Sequence, residues 1–185
     1  MPITLNGSGT VSGISVGGLP NGIIQSADFA TGVGGKILQV KQTVKLDTFS
    51  STSLSDVDVT GLSVSITPSS SSNKVLVMVN MAISSQSMFV YGILKRGSTQ
   101  IGEADAANNR IRPTLMGFNT NEGEVEHRDF IFLDSPNTTS ATTYKMQVRC
   151  ATSGHLRINK SYRDTDTVNY DPRVSSSITV MEVAA

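Results

Sequence analysis

A chain of 185 residues fits one ordinary domain with a tail, and its 15 Lys and Arg balance 15 Asp and Glu to a net charge of zero. That neutrality lacks the basic footprint that grips a nucleic-acid backbone, which argues against DNA or RNA as a partner. Apolar residues make up 38% and charged residues 16% of the chain. The remainder is dominated by 25 Ser, 19 Thr and 16 Gly, a composition that suits a β protein with many turns. The single cysteine, Cys150, excludes an internal disulfide framework and a cysteine-based zinc site. The start MPITLNGSGT shows neither a basic nor a continuous apolar leader segment, and no apolar run approaches the roughly 20 residues that span a bilayer. No membrane partner is therefore expected.

The first 35 residues differ from the rest. They hold 9 of the 16 glycines, no Lys or Arg, and one acid, Asp28. Eight aliphatic side chains between residues 3 and 24, Ile3, Leu5, Val11, Ile14, Val16, Leu19, Ile23 and Ile24, are scattered among Gly, Ser and Asn. Such a segment cannot build its own core, yet it carries too much aliphatic surface for a plain flexible linker. It reads as an extended arm, residues 1–35, that docks on another surface; fully extended it would reach about 120 Å. Its one helix-like signal is a capped turn at Ser26–Ala30.

From residue 36 to 185 the pattern is strands and turns. Lys36–Leu46 is a strand, and Asp47–Asp56 is a Ser/Thr loop. Val57 and Val59 alternate in one parity and Leu62, Val64 and Ile66 in the other, so the switch at Thr60-Gly61 predicts a β-bulge. After the turn at Pro68–Ser72, the runs Lys74–Ser84, Met88–Leu94 and His127–Asp134 are apolar on both parities and read as strands covered on both faces. Thr99–Ala104 is a short strand, Asp105–Arg112 a loop, and Pro113–Phe118 an edge strand. Thr143–Cys150 alternates cleanly, His155–Asn159 repeats the pattern, Lys160–Val174 is a loop, and Ser175–Val183 is the last strand. Nine or ten strands with no amphipathic helix predict an all-β, antiparallel β-sandwich, a jelly roll if eight core strands form two sheets. The surplus of doubly apolar strands predicts a homo-oligomer, with Leu76, Met78, Phe89, Tyr91 and Phe132 as interface candidates.

Little in the chain spells chemistry. His127 and His155 have no ligand spacing, and no serine lies in a nucleophile elbow. The run Asp164 to Asp171 has alternating carboxylates but lacks the turn glycine of a calcium loop, and Ser175 stands where the closing Glu belongs. No metal and no cofactor are expected. Cys150 falls on the apolar parity of its strand, where a thiol is buried and inert. Arg110, Arg112, Arg149, Arg157, Lys160 and Arg163 are scattered cations, and the loop holding Tyr162, Asp164, Asp166 and Tyr170 is the place where a sugar-stacking platform could form.

The strings LNGSGTVSGISVGGLPNGIIQSADFATG, GKILQVKQTVK, DVTGLSVSITPSSSSNKVLVMV, LKRGSTQIGEADAANNR, LDSPNTTSATTYKMQV and SSSITVMEV, which together cover nearly the whole chain, resemble short virion proteins of tailed bacteriophages, in particular fibre-like and decoration-like proteins of aquatic phages. The resemblance implies a jelly-roll head like the trimeric heads of tumour-necrosis-factor and complement proteins, carried on an N-terminal attachment piece. It implies a non-enzymatic role on the exterior of the virion, after synthesis in the host cytoplasm. Partners would be its own copies in a homotrimer and other virion proteins of the capsid or tail. No repeat, heptad or collagen-like period forms a shaft between arm and head. That favours a capsid decoration or cement protein, or a short fibre. The alternative is a receptor-binding tail fibre or spike module whose loop at Tyr162, Asp164, Asp166 and Tyr170 adsorbs to a host-surface glycan or protein.

Overall fold

The computed structural model describes residues 4–5, 11–12, 36–167 and 169–185. The chain divides into two units, Met1–Lys36 and Ile37–Ala185. In the first, β1 (Thr4–Leu5) pairs antiparallel with β2 (Val11–Ser12). The capped turn expected at Ser26–Ala30 lies outside the described residues.

The second unit contains β3 (Ile37–Lys45), β4 (Phe49–Ser51), β5 (Val57–Ile66), β6 (Lys74–Ser85), β7 (Phe89–Arg96) and β8 (Thr99–Gln100). It continues with β9 (Leu115–Phe118), β10 (Glu126–Asp134), β11 (Thr142–Cys150), β12 (Leu156–Ile158) and β13 (Ser176–Val183). Eight of these form two antiparallel sheets. In the first the spatial order is β3, β13, β6, β10, and in the second β5, β11, β7, β9. Counting only these eight, the first strand pairs with the last, the second with the seventh, the third with the sixth and the fourth with the fifth. One long hairpin folded over on itself is the jelly roll, and the expected sandwich is therefore observed. The short β4 and β12 extend the first sheet beside β6, and β8 extends the second beside β7.

The core lies between the sheets. Val75, Val77, Val79, Met81 and Ile83 of β6, with Ile178 and Val180 of β13 beside them in the same sheet, face Val90 and Leu94 of β7 and Tyr144, Met146 and Val148 of β11. The cleanest alternation in the sequence, on β11, yields a strict burial alternation, because a pleated strand sends successive side chains to opposite faces. The packing is tight enough to require a glycine on the inner face of β7. A Cβ on Gly92 would stand 2.4 Å from Leu115 Cδ1 and 3.0 Å from Met81 Cε.

The irregularity expected in β5 is present. Lys145 pairs with Ser63 and Gln147 with Asp58, so the ladder slips there, and Gly61 takes φ +82°, a left-handed value that a glycine adopts without strain. The slip lets Val59 and Leu62, of opposite parity, both reach the core. Two expectations need correction. The Ser/Thr segment Asp47–Asp56 contains β4, because Phe49 packs against the core and brings its backbone into register with β12. And the doubly apolar runs are not covered on both faces: Met78 of β6 and Phe89 of β7 are exposed, and the register of β10 with β6 sends Phe130 and Phe132 inward and leaves Ile131 and Leu133 exposed.

Buried polar hubs fasten the strands to the loops. Asn159, at φ 65°, donates to the carbonyls of Lys45 (2.8 Å) and Asp47 (2.9 Å) and accepts from the Ser176 hydroxyl at 2.6 Å. Glu182, 1% exposed, accepts from Gln39, Asn73 and both the amide and hydroxyl of Ser69, at 2.6–2.7 Å. Burial alone would raise its pKa, but those donors outweigh burial and hold the carboxyl down at about 2.

Candidate interaction surfaces

The outer face of the first sheet carries the larger feature. The register aligns Val40, Met181, Leu76 and Leu133 in one row across four strands, and Gln42, Thr179, Met78 and Ile131 in the next. The first row is apolar from edge to edge, and the second is apolar on its β6 and β10 half. Ile131 is 62% exposed, Val40 52% and Leu133 47%, with Leu38 extending the patch along β3. A third row, Val44, Ser177, Asn80 and Asp129, is apolar only at its β3 edge and closes the rest of the patch with polar groups: Asn80 donates to Asp129 and is also hydrogen-bonded to His127. A solvated sheet face ordinarily alternates to polar residues, so a coherent apolar block there marks an interaction surface.

The outer face of the second sheet carries a smaller patch. Phe89 and Phe118 pack with ring centroids 4.7 Å apart, Met116 lies opposite Tyr91, and the Arg149 guanidinium sits 6.0 Å from the Tyr91 ring. Farther along β7, Ile93 also points outward, yet it is only 2% exposed and shares a small cavity with Ile111 and Arg112 of the 101–114 loop. The five interface candidates from the sequence thus do not form one surface. Leu76 and Met78 belong to the first outer face, Phe89 and Tyr91 to the second, and Phe132 packs against the core beside Phe130.

Polar function concentrates at one end of the sandwich. The connections β6–β7, β9–β10 and β12–β13 meet there: Ser87 donates its amide to the Asn119 carbonyl, Gln86 bonds Glu122, and the Arg163 amide donates to the Glu122 carbonyl. Within the β12–β13 loop two aspartates at left-handed φ act as pins. Asp171 accepts from Arg163 at 2.9 Å, from Ser161 at 2.9 Å and from the Thr165 hydroxyl. The Arg163 guanidinium, followed by Thr165, holds its carboxyl well below the usual aspartate range. Asp164 is bonded by Lys160 at 2.8 Å and Arg173 at 2.7 Å, with Arg157 at 3.7 Å, and the Lys160 bond lowers its pKa.

Of the four loop residues singled out from the sequence, Tyr162 and Asp164 are therefore tied into the fold. Tyr162 lies under the Arg157 guanidinium at 5.0 Å and meets His155 edge-on. Asp166 and Tyr170 stay open: Tyr170 is 68% exposed and borders a cavity of about 520 Å³ lined by residues 164–167 and 169–173. A second cavity of about 310 Å³, reaching Asn121, Glu124 and Arg163, shares Asn169, Tyr170, Asp171 and Pro172 as its wall. Sequence reasoning missed Asn159 and Asp171 as the anchors of this loop.

Elsewhere the chemistry is quiet. Cys150 is buried and its thiol pKa is pushed up by that burial. Among the described residues no three His, Cys, Asp or Glu gather as metal ligands. Of the eight aliphatic arm residues, Ile3, Ile14, Val16, Leu19, Ile23 and Ile24 lie outside the described residues, while the backbones of Leu5 and Val11 pair with each other.

No family model matches the chain, and no curated protein matches it. Among solved structures it is similar to the T=1 particle protein derived from infectious bursal virus, with a TM-score of 0.41 and 12% identity over 79% of this chain and 40% of that one. It is also similar to the VP2 subviral particle of infectious bursal disease virus, with a TM-score of 0.35 and 12% identity over 78% and 41% of the respective chains. The chain thus spans about two fifths of the length of these proteins. Both scores are too low to carry an argument, and the jelly roll is assigned from its own strand pairings.

Proposed function

We propose that this chain is a non-enzymatic virion structural protein of tailed bacteriophages. Residues 1–35 anchor it to the particle, and the jelly roll forms the exposed head of a homotrimeric capsid decoration protein or short fibre. The observation that carries the self-association is the pair of apolar rows on the outer face of the first sheet. They run from edge strand β3 to edge strand β10, so the β10 side of one copy can meet the β3 side of the next, a heterologous contact that closes after three steps. The virion setting rests on the sequence strings that resemble short phage virion proteins. The anchoring role rests on eight aliphatic residues of the glycine-rich stretch, whose one charged side chain is Asp28; they offer surface to a partner platform.

The test is incorporation. Full-length protein should join particles lacking it, and protein truncated before Lys36 should not, while still associating with its own copies. Truncated protein that incorporates normally overturns the anchoring role. Copy number then separates the two addresses: hundreds per particle for a decoration protein, a few to some tens for a fibre at the tail or a vertex.

A further inference from the structure

The outer face of the second sheet holds a cation whose partners are incomplete. On that face Lys145 bonds Asp58 at 2.8 Å, and Gln147 donates to the same carboxylate at 2.7 Å. Arg149, two residues further along β11, is different. Its Nη1 stands 3.9 Å from Asp56, too far for a hydrogen bond, and its buried Nε has no acceptor. Asp56 is also shared, since Lys95 stands 3.9 Å from it. Arg112, which lines the same small cavity, is already paired with Glu103 at 3.1 Å. Three cations thus meet two carboxylates, and the group carries a surplus positive charge.

That surplus adjoins apolar surface. Arg149 lies opposite Tyr91 in the ladder, and Tyr91 lies opposite Met116. The next row is the Phe89–Phe118 pair, and Phe89, Met116 and Phe118 are 45%, 48% and 37% exposed. Past Tyr91 in the other direction comes Ile93, which lines the cavity of about 140 Å³ together with Arg149 and Arg112. Two residues of extended strand span about 7 Å, so the aromatic pair, the Arg149 row and the cavity follow one another at that step. Aromatic residues, methionine and arginine are the types enriched where proteins grip one another. A second copy offering the same surface would bring no free carboxylate, and would add Arg149 to its like.

We propose that this face docks an extended segment of a different protein. A large apolar side chain of that segment sits on Phe89, Met116 and Phe118, and a carboxylate two to four residues along bonds Arg149 at the cavity. The carboxylate supplies the acceptor that Arg149 lacks and neutralises the surplus charge. The apolar residue gives area and the acid gives specificity, because a basic residue in its place would meet Arg149 and Lys95. The docking surface goes beyond the structural role and depends neither on trimer formation nor on the arm.

The test sets the full-length purified protein against a yeast-displayed library of random twelve-residue peptides, and the selected peptides are synthesised and titrated. They should share a large apolar residue with Asp or Glu two to four positions away. Met116→Asp and Arg149→Gln should each weaken binding by about tenfold or more at unchanged melting temperature. A peptide with Lys in place of its acid should bind Arg149→Glu and not the wild type. Should Met116→Asp lower the melting temperature, the two Arg149 variants decide alone. Selection of no peptide, of peptides sharing no acid, or of peptides whose binding survives Arg149→Gln each overturns the proposal. So does binding seen only after residues 1–35 are removed, which makes the arm the occupant, or loss of self-association in Met116→Asp, which makes a second copy the occupant. The mass of the wild-type protein, measured on the same samples, reports separately on the structural reading.

Discussion

Replacing Ile131 by Lys and Leu133 by Glu on β10 separates self-association from folding. Both side chains point out of the sandwich, 62% and 47% exposed. Full burial of such a side chain is worth roughly 1.5–3 kcal/mol. Covering the exposed fractions therefore contributes about 2–3 kcal/mol per copy, and about 5–10 kcal/mol across three copies, before the cost of burying two new charges. The isolated head loses little, since exposed substitutions usually stay within about 0.5 kcal/mol each. Light scattering or sedimentation should give wild type near three times 19.6 kDa, about 59 kDa, and the double variant near 19.6 kDa with an unchanged β circular-dichroism spectrum. Ser63→Asp, exposed on the opposite outer face, should leave association intact. A wild-type mass of one chain at micromolar concentration, or a double variant that associates as wild type does, refutes the reasoning.

Three further outcomes follow from the packing and the buried hubs. Gly92→Ala drives a methyl into Leu115 and Met81, and thermal melts should show a loss of about 1–3 kcal/mol. Tyr144→Phe removes the 2.7 Å hydrogen bond to Asp134, which Arg96 also grips at 2.8 Å; losing a bond to a charged acceptor should cost about 1.5–3 kcal/mol in denaturant titrations. Glu182 keeps its charge in the folded state down to about pH 2, whereas the unfolded chain takes up the proton near 4.5. Its stabilising contribution is complete above 4.5 and fades as pH falls toward 2, so Glu182→Gln should flatten the stability profile in that window. A profile of unchanged slope would mean that the carboxylate is not held by Gln39, Ser69 and Asn73.

The sequence revealed most where a local period decides the outcome. The Tyr144, Met146, Val148, Cys150 alternation names the inner face of β11 directly, and the parity switch around Gly61 announces the slip in β5. It was silent where the period is saturated. In Phe130-Ile131-Phe132-Leu133 every residue is apolar, and only the pairing of Phe132 with Val77 and of Ile131 with Met78 decides which side each takes. Phe132 therefore reads as an interface candidate in the sequence although it packs inward. Phe49 disappears in a Ser/Thr segment because one apolar anchor makes no period. The hubs were the least legible: Asn159 reaches back to Lys45, and Glu182 to Gln39 and Asn73, each more than 100 residues away. In the β12–β13 loop all three aspartates look alike in sequence, and only the fold distinguishes the two that pin the loop from Asp166, which faces solvent.

The two apolar patches lie on the outward sides of opposite sheets, so they look in contrary directions. Subunits that used both to grasp one another would pile up like coins without end, since each addition leaves a fresh sticky surface at the far side. A particle of finite size must give the Phe89–Phe118 side a different neighbour, or leave it wet. In a closed ring of copies built on the first sheet, the Phe89–Phe118 side is thereby left outside the contact between siblings.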